Sequence, residues 1–307
     1  MYPDFIGIGA QKGGTSWLHT NLEKHPQIWL PPMKELHYLD QGPASLAKRL
    51  FGDSKRMRRG RKYLIDRICA LPRGGRLSDV AWALRYSLAP RSDAWYGSLF
   101  PEVPGKIAGE VCPGYARIRG EAVGRVHRLM PNTKVIYFLR NPLDRPWSYA
   151  RQHFKIRGPN DGYGSLDKVP PAEMEAFLRK DREGHSDLFG AVTAWERYFA
   201  PNQMFIGFFD EMVMDPKAML KRVLEFLGVD SSEDVIPATV ERSPNPGRPP
   251  KMPPEIRAYL ASLHHDQLIK LHARFDNPWT AAWLASAEAA LADHPPGSAG
   301  ASAVGLA

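Results

Sequence analysis

The chain has 307 residues, a formal net charge of +8 at pH 7 and a hydrophobic content of 43%. That content allows a large buried core and excludes a globally disordered chain, while the positive charge suggests an anionic partner. The two cysteines, Cys69 and Cys112, exclude a disulfide-stabilised scaffold and favour a reducing compartment. No apolar run approaches the ~20 residues of a membrane span and no leader precedes the first strand, so we expect a soluble, cytoplasmic protein.

The N-terminal residues follow a strand, turn and helix pattern. The run "FIGIG" at residues 5–9 predicts a short buried strand that ends at a glycine. The stretch "TSWLHTNLEKHP", which follows Gly14, predicts a helix that ends at its proline. Residues 41–100 are more weakly patterned and contain the basic run "KRMRRGRKY".

Strands and helices alternate in the remainder of the chain. Strands are predicted in "KIAGEVCPGYA", "KVIYFLRNP" and "QMFIGFF", and helices in "GEAVGRVHRLMP", "PLDRPWSYARQHF", residues 187–200, "DPKAMLKRVLEFLG" and "PPEIRAYLASLHHDQLIKLHARF". This alternation predicts an α/β fold with a central parallel β-sheet that helices flank on both faces. We expect one domain over residues 1–285 and a disordered Ala-, Gly-, Ser- and Pro-rich tail over residues 286–307.

The turn after the first strand has the pattern of an anion-binding cradle. Gly13 and Gly14 allow the backbone to approach a ligand closely, and the helix that follows directs its N-terminal N–H groups at the same point. Thr15 and Ser16 add hydroxyl donors, and Lys12 adds a mobile positive charge. A plain strand-to-helix turn with a solvated lysine is the structural alternative.

The order of these residues differs from that of a nucleoside-triphosphate P-loop. A Walker loop places the lysine after its glycines and needs an acidic residue after a later strand to help hold Mg²⁺. Here the strongest apolar strand, "KVIYFL", is followed by Arg140, which favours a second phosphate, and Ser148 adds a hydroxyl eight residues later. Two anion sites at the carboxyl ends of parallel strands suit a nucleotide with phosphate at both ends of its ribose.

These segments resemble a known family. "QKGGTSWL" resembles the 5′-phosphosulfate loop of sulfotransferases that use 3′-phosphoadenosine 5′-phosphosulfate (PAPS), and "VIYFLRNPLDRPWSYARQHF" resembles their 3′-phosphate segment. The K-G-G-T form and the later K-E-x-H segment are closer to the heparan-sulfate-type and bacterial branch. The resemblance covers residues 4–285 and implies the P-loop-like PAPS sulfotransferase fold, with residues 41–100 as a variable region on the acceptor side.

The resemblance also implies which residues hold the donor. Lys12 to Ser16 would bind the 5′-phosphosulfate, with Lys12 neutralising the charge that develops on the leaving phosphate. Arg140 and Ser148 would bind the 3′-phosphate, and Arg248 in "NPGRPPK" would close over the nucleotide. Trp17 matches a tryptophan that stacks on adenine in the cytosolic branch; core packing is the alternative.

The segment "PMKELHYLD" supplies the candidate base. In the heparan-type branch the glutamate of this segment is the base, the histidine assists, and an aspartate contacts the acceptor or the base. This implies Glu35 as base, His37 as its assistant or rival, and Asp40 as a contact. If the segment is extended, Glu35 and His37 point the same way, and a partly buried cleft would raise the pKa of Glu35 towards 7.

One departure from the family concerns the acceptor. Heparan-type enzymes have a lysine in a "K-T-P-x-Y" segment, whereas this chain has Val111 and Cys112 in "EVCPGYA". A highly anionic polysaccharide acceptor is therefore in doubt, and Glu110 is a candidate contact for a hydroxyl or an amine. A small molecule, a glycan and a lipid all stay open as acceptors, and the oligomeric state is not readable.

Three further expectations concern cofactors and rival functions. We expect no metal, because a sulfuryl group carries less negative charge than a phosphoryl group, and no Cys/His cluster has metal-ligand spacing. A P-loop-type nucleotide kinase is the first rival, and it predicts Mg²⁺ dependence. A basic protein that binds nucleic acid or an anionic glycan is the second, suggested by the run from Lys55 to Lys62, which lacks interleaved aromatic residues and any nucleic-acid-reading module.

Overall fold

A computed structural model describes residues 1–43, 55–156, 168–242 and 251–294. Its five strands are β1 (Phe5–Gly9), β2 (Ile28–Trp29), β3 (Ile107–Val111), β4 (Lys134–Leu139) and β5 (Met204–Phe208). All pair in parallel in one sheet of order β2-β3-β1-β4-β5. The predicted α/β fold with a parallel sheet is confirmed, and β2 is an additional strand of two residues.

Helices account for most of the remaining described residues. They are α1 (Thr15–Glu23), α2 (Lys55–Ala70), α3 (Leu77–Leu88), α4 (Asp93–Ser98), α5 (Glu121–Leu129), α6 (Asp144–Ile156), α7 (Pro171–Arg182), α8 (Leu188–Glu196), α9 (Phe209–Met214), α10 (Pro216–Leu227), α11 (Pro254–Phe275) and α12 (Pro278–Asp293). None of these helices is long and apolar enough to cross a membrane.

Both faces of the sheet are buried, and successive side chains of β4 alternate between two apolar cores. Val135 and Tyr137 of β4 belong to one apolar core, while Ile136 and Phe138 belong to a second core that includes residues of α1 and α10. Side chains alternate between faces along a strand, so a strand covered on both sides has an unbroken apolar run. The run "KVIYFL" therefore has the composition of a strand at the centre of a covered sheet.

The weakly patterned region 41–100 contains three helices within its described residues. Helix α3 packs on α2, where Ser87 Oγ donates to Gly60 O at 3.0 Å. The rings of Trp82 and Tyr86 stack at 5.2 Å between centroids, and the Trp82 Nε1–H donates to Leu99 O. Aromatic packing rather than a regular aliphatic repeat thus fixes this region to the domain.

The tail prediction is wrong for residues 286–293. Helix α12 continues to Asp293, and residues 295–307 lie outside the described residues. Alanine has the highest helix propensity, so an Ala-rich segment extends a helix once one face is packed. Trp283, Ala287 and Ala290 supply that face. The domain boundary at residue 285 stays a prediction, although the helix crosses it.

We expect the replacement Asp181→Ala to destabilise the fold by about 3–5 kcal/mol, because it leaves a buried guanidinium without its counter-charge. Arg145 is fully buried and forms an ion pair with Asp181, and Ser186 Oγ accepts from the same guanidinium at 2.6 Å. Urea unfolding measures the change. The matched control is Asp66→Ala, which removes an exposed pair with Lys62 and should cost about 0.5 kcal/mol or less. Equal losses in the two variants would contradict the prediction.

Candidate active site

The predicted cradle lies at the carboxyl end of β1, the central strand. Gly7 is paired with Val111 of β3 on one side and with Ile136 of β4 on the other. The segments that follow these three strands therefore emerge at one edge of the sheet, which is where open α/β sheets bind ligands. Lys12 and Arg140 come from two of these segments.

Helix α1 begins with free backbone donors. Gly14 is its N-cap residue, and among the described residues no side chain caps the helix. The first N–H groups of a helix have no intrahelical partner, so they and the positive end of the helix dipole are available to an anion. Gly14 has φ +100°, and a Cβ there would lie 2.9 Å from Met212 Sδ, so only glycine fits at this position.

Lys12 has a left-handed backbone conformation, with φ +67°. Its carbonyl oxygen accepts a hydrogen bond of 2.8 Å from Arg140 Nη1. A non-glycine residue in this region carries strain of about 1–3 kcal/mol that surrounding contacts must hold. Arg140 therefore fixes the lysine that the sequence assigned to the other anion site.

The site carries a surplus of positive charge. Burial lowers the pKa of the Lys12 amino group, and the charges of three neighbours, Arg140, Arg151 and Arg145, lower it further. Burial also lowers the pKa of the Arg140 guanidinium, whose carbon lies 4.2 Å from the centroid of the Phe209 ring. Within the described residues, no carboxylate oxygen lies within 4 Å of the Lys12 amino group. A bound anion would stabilise this cluster.

Arg151 is a candidate ligand that the sequence analysis missed. Its Nε is buried and has no hydrogen-bond partner within the described part of the chain, and burial lowers the pKa of its guanidinium. It lies three residues after Ser148 on α6, so the two side chains share one helix face. That spacing from Ser148 was the signal available in the sequence. An unpaired buried donor beside Lys12 fits a site for phosphate.

Arg145 links helix α6 to the cradle by a hydrogen bond. Its Nη1 donates to Gln11 O at 3.3 Å, while the rest of its guanidinium is bound by Asp181 and Ser186. Ser148 is half-buried one turn beyond Arg145. The structure thus brings Lys12, Arg140 and the start of α6 together.

Trp17 lies in the core. It is 5% exposed, its Nε1–H donates to Val240 O at 2.8 Å, and its ring meets Phe138 edge-on at 6.2 Å. This burial favours core packing, the alternative to adenine stacking. Arg248 falls within residues 243–250, which lie outside the described residues.

The base segment is not extended, and that expectation is wrong. Glu35 and His37 both have left-handed backbones, with φ of +63° and +53°. Their side chains nevertheless meet, because Glu35 Oε2 lies 3.5 Å from His37 Nε2. The other ring nitrogen, Nδ1, lies 2.8 Å from Asp40 Oδ2. The three predicted residues form one chain from Glu35 through His37 to Asp40.

A buried carboxylate anchors this strained segment. Leu36 N donates to Glu110 Oε2 at 3.2 Å, and the hydroxyls of Tyr96 and Tyr115 donate to Glu110 Oε1, each at 2.6 Å. Glu110 is 1% exposed. Its candidate role as an acceptor contact is therefore replaced by a positioning role, since its oxygens face the protein interior. Arg91 adds a hydrogen bond of 2.6 Å to His37 O from the other side.

Glu35 and Glu110 have opposite pKa shifts. Burial would raise the pKa of Glu35, but the hydrogen bond from His37 and the charges of Lys34, His37 and Arg59 outweigh it and lower the pKa. The expected rise towards 7 is therefore wrong. Burial raises the pKa of Glu110, although three hydrogen bonds oppose the rise.

Lys34 connects the base segment to the cradle. Its Nζ donates to Ser16 Oγ at 3.1 Å, and burial lowers the pKa of its amino group. The structure adds a second amino group beside the cradle, and this contact places the base segment next to the N-terminus of α1.

A cavity of about 480 Å³ adjoins Asp40. It is lined by Leu39, Asp40, Arg117, Ile118, Arg119, Ala122, Glu183 and Gly184. Arg117 Nη2 lies 3.7 Å from Asp40 Oδ2, and Arg119 pairs with Asp187. The cavity therefore offers both charge signs to a polar molecule.

One group of side chains in the described residues could reach a common metal ion. Ligand atoms of His37, Asp40 and Cys112 lie within 4.8 Å of one another. The closest pair among them is the hydrogen bond between His37 and Asp40, and Cys112 is buried. The expectation of a metal-free reaction stays a prediction.

Comparisons with known proteins show the family of this chain. The model of the "Sulfotransferase family" matches residues 3–234. Human heparan sulfate glucosamine 3-O-sulfotransferase 6 is 33% identical over 149 residues, which are 45% of this chain and 40% of that enzyme. The membrane-associated sulfotransferase kil1 of Dictyostelium discoideum is 26% identical over 64% of this chain and 31% of its own length.

A solved structure shares the fold. The sulfotransferase from Alicyclobacillus acidocaldarius has a TM-score of 0.60 and 24% identity, and the match covers 92% of this chain and 99% of that one. By contrast, this chain spans less than half the length of the curated relatives it matches.

Proposed function

Because this chain belongs to the sulfotransferase family, we propose that it is an enzyme that transfers a sulfuryl group from PAPS to a hydroxyl group. An amine is the weaker alternative as acceptor group. The single observation that supports this best is the hydrogen bond between Lys34 and Ser16, because it holds a carboxylate segment beside an anion cradle. The products are adenosine 3′,5′-bisphosphate and the sulfated acceptor.

The donor is bound at two points. The backbone N–H groups of Gly14 to Ser16 and the amino group of Lys12 hold the 5′-phosphosulfate, while Gly13, whose N–H donates to Ala10 O at 2.9 Å, lets the backbone approach it closely. Arg140 and Ser148 hold the 3′-phosphate, and we add Arg151 to this set because of its unpaired buried Nε. Arginine suits phosphate because its planar guanidinium donates two parallel hydrogen bonds. Trp17 supports the helix that carries the cradle, and Arg248 stays a candidate for closing the site.

Glu35 is the base and His37 its assistant. Both ring nitrogens of His37 already face carboxylates, Nδ1 towards Asp40 and Nε2 towards Glu35. To take the proton of the acceptor hydroxyl, His37 would have to turn one ring nitrogen away from its carboxylate and towards the acceptor. The side chain of Glu35 is partly exposed, and its lowered pKa keeps it ionised at neutral pH.

The transfer is an in-line displacement. The acceptor oxygen forms a bond to sulfur as the bond between sulfur and the leaving phosphate oxygen breaks, and Glu35 takes the hydroxyl proton. Lys12 and the α1 N-terminus stabilise the charge that collects on the leaving phosphate, as preorganised donors do in other enzymes. We propose that no metal is needed for this step.

The acceptor is a hydroxylated small molecule, a glycan or a lipid. The cavity beside Asp40 is the candidate acceptor space, and Asp40 contacts either the acceptor or the base. The human relative is named for a glucosamine acceptor. Val111 and Cys112 replace the family's Lys-Thr pair here and weigh against the same anionic polysaccharide. The cytoplasmic location also stays a prediction, since one relative is named as membrane-associated.

The kinase alternative is disfavoured by Arg140. This residue follows β4 and carries a positive charge where a kinase needs an acidic residue for Mg²⁺. A pure binding protein would not need the carboxylate chain of Glu35, His37 and Asp40.

Incubation of the protein with sulfur-labelled PAPS and a panel of acceptors tests the proposal. The reaction contains a chelator, and mass spectrometry detects the sulfated product. Turnover of ATP but not of PAPS would overturn it.

We expect Arg140→Ala to weaken the binding of adenosine 3′,5′-bisphosphate by at least ~10-fold, which corresponds to ~1.4 kcal/mol. The change removes a phosphate ligand and also the hydrogen bond that holds the Lys12 carbonyl. Isothermal titration calorimetry measures the affinity. The matched control is Arg128→Ala, which removes an exposed arginine that pairs with Glu121. Unchanged affinity in Arg140→Ala would remove this residue from the donor site.

A further inference from the structure

The positive charge of the chain is concentrated in one helical hairpin. Residues 55–88, which form α2, α3 and their connection, contain ten Lys or Arg and two Asp. Their formal charge is +8, which equals that of the entire chain, so the remainder is neutral on balance. The donor site therefore does not account for the net charge of the protein.

The same hairpin has an exposed apolar stripe. Leu77, Ala81, Leu84 and Leu88 follow one another at intervals of four, three and four residues, so they lie along one face of α3. That face is solvent-exposed, with Leu77 75% exposed and Leu84 40%. The opposite face carries the buried residues Trp82, Ala83 and Tyr86. The stripe is therefore additional to the packed side of the helix.

Helix α2 adds two more exposed apolar side chains to the hairpin. Ile65 is 58% exposed and Ile68 is 45% exposed, one turn apart. Arg58, Arg59 and Lys62 are exposed on the preceding turns. Five of the nine large hydrophobic side chains that are exposed in the described residues belong to this hairpin. Large exposed apolar patches in soluble domains mark interaction sites.

We propose that the α2–α3 hairpin is a docking surface for a lipid bilayer that contains anionic lipids. A helix with leucines on one face and Lys or Arg on its flanks binds at the boundary between headgroups and acyl chains. Anionic headgroups attract the charge of the hairpin, and the acyl region receives its leucines and isoleucines.

Two other occupants match the surface less well. Nucleic acid or an anionic glycan would satisfy the charge but would leave the leucine stripe in water. A second copy of the chain would cover the leucines but would bring two faces of formal charge +8 together, which repel each other. A bilayer satisfies both properties at once.

Trp95 of α4 links the hairpin to the base segment. Trp95 Nε1–H donates to Arg85 O of α3 at 2.8 Å, and the rings of Trp95 and Tyr38 lie 5.7 Å apart. Tyr38 follows His37 directly, and the charge of Arg59 contributes to the lowered pKa of Glu35. Docking would therefore hold the acceptor side of the enzyme near the membrane surface.

Co-sedimentation of the full chain with vesicles tests the proposal without any donor or acceptor. The anionic vesicles contain phosphatidylcholine with about 30% phosphatidylglycerol by mole fraction. We expect the protein to bind them at least ~10-fold more tightly than vesicles of phosphatidylcholine alone, and we expect about 0.5 M salt to weaken this binding. The triple variant Leu77→Gln, Leu84→Gln, Leu88→Gln should lose at least ~10-fold in affinity. The matched control replaces three exposed apolar residues elsewhere, Val213, Met214 and Ile269, by glutamine and should bind as the parent does.

A second measurement on the unmutated chain does not depend on the folding of a variant. Cys69 is exposed on α2, while Cys112 is buried, so a thiol-reactive, polarity-sensitive dye labels the hairpin selectively. We expect its emission to shift to the blue on anionic vesicles. Three results would each overturn the proposal. The first is vesicle binding that survives loss of the leucines, and the second is an emission that does not shift. The third is a dimer of the parent chain that dissociates in the leucine variant. Because the assay omits PAPS, its failure leaves the proposed transfer activity unaffected.

Discussion

Replacing Glu35 by glutamine is expected to lower kcat by about 10²–10⁴-fold, the range that general base catalysis contributes. The affinity for adenosine 3′,5′-bisphosphate should stay within about twofold, because glutamine keeps the size of the side chain and the cradle is built by other residues. Single-turnover transfer from labelled PAPS and calorimetric binding measure the two quantities. Loss of binding in parallel with activity would mean that Glu35 supports the cradle rather than takes the proton.

The structure also predicts how the activity responds to pH. The pKa of Glu35 is lowered, so its carboxylate stays ionised as pH falls from neutral and is protonated only below its ordinary titration range. The acid limb of kcat should therefore lie at lower pH than it would for an isolated glutamate. His37→Gln removes the largest contribution that lowers this pKa, so burial should then shift the acid limb to higher pH. A limb that does not move on this change would assign it to another group.

His37→Gln also separates the two candidate bases. If His37 were the base, glutamine would abolish the pH dependence along with the activity. If Glu35 is the base, the variant should retain part of its activity because the carboxylate remains, although its orientation is less restricted. Asp40, which is 3% exposed in its side chain, holds the far side of the imidazole and is a positioning residue in this scheme.

The elements predicted best from sequence are those that depend on local pattern. The strands at residues 5–9 and in "KVIYFL" have unbroken apolar runs because both faces of the sheet are covered. The cradle residues follow the first of these strands directly, so their placement needed no long-range information. Lys12 and Arg140 then meet because parallel neighbouring strands end at the same edge.

The features that sequence could not predict arise from distant contacts. The left-handed conformations of Glu35 and His37 are held by Glu110 and Arg91, which are more than 50 residues away. This conformation brings His37 against the Glu35 carboxylate, and the hydrogen bond from His37, with the charges of Lys34, His37 and Arg59, reverses the expected shift in the pKa of Glu35. Strand β2 is missed because two residues contain no periodicity.

Replacing Lys12 by methionine is expected to lower kcat by about 10²–10³-fold, the loss that follows removal of one preorganised group from a site of developing charge. Methionine keeps most of the length of the side chain but removes the charge and the three N–H donors of the amino group. Arg140 should still bind the Lys12 backbone carbonyl in the variant, because that contact involves the main chain. The effect on kcat should therefore exceed the effect on the affinity for adenosine 3′,5′-bisphosphate.

A comparison with Lys34→Met shows whether position or charge alone matters. Both amino groups lie beside the cradle and both have a pKa that burial lowers, but Lys34 donates to Ser16 while Lys12 has φ +67° within the loop itself. If Lys12 meets the leaving phosphate, its loss should slow the transfer step more than the loss of Lys34 does. A sulfuryl donor whose leaving group has a lower pKa should then partly restore the rate of the Lys12→Met variant. Equal losses in the two variants, unaffected by the leaving group, would mean that both lysines serve only to attract the donor.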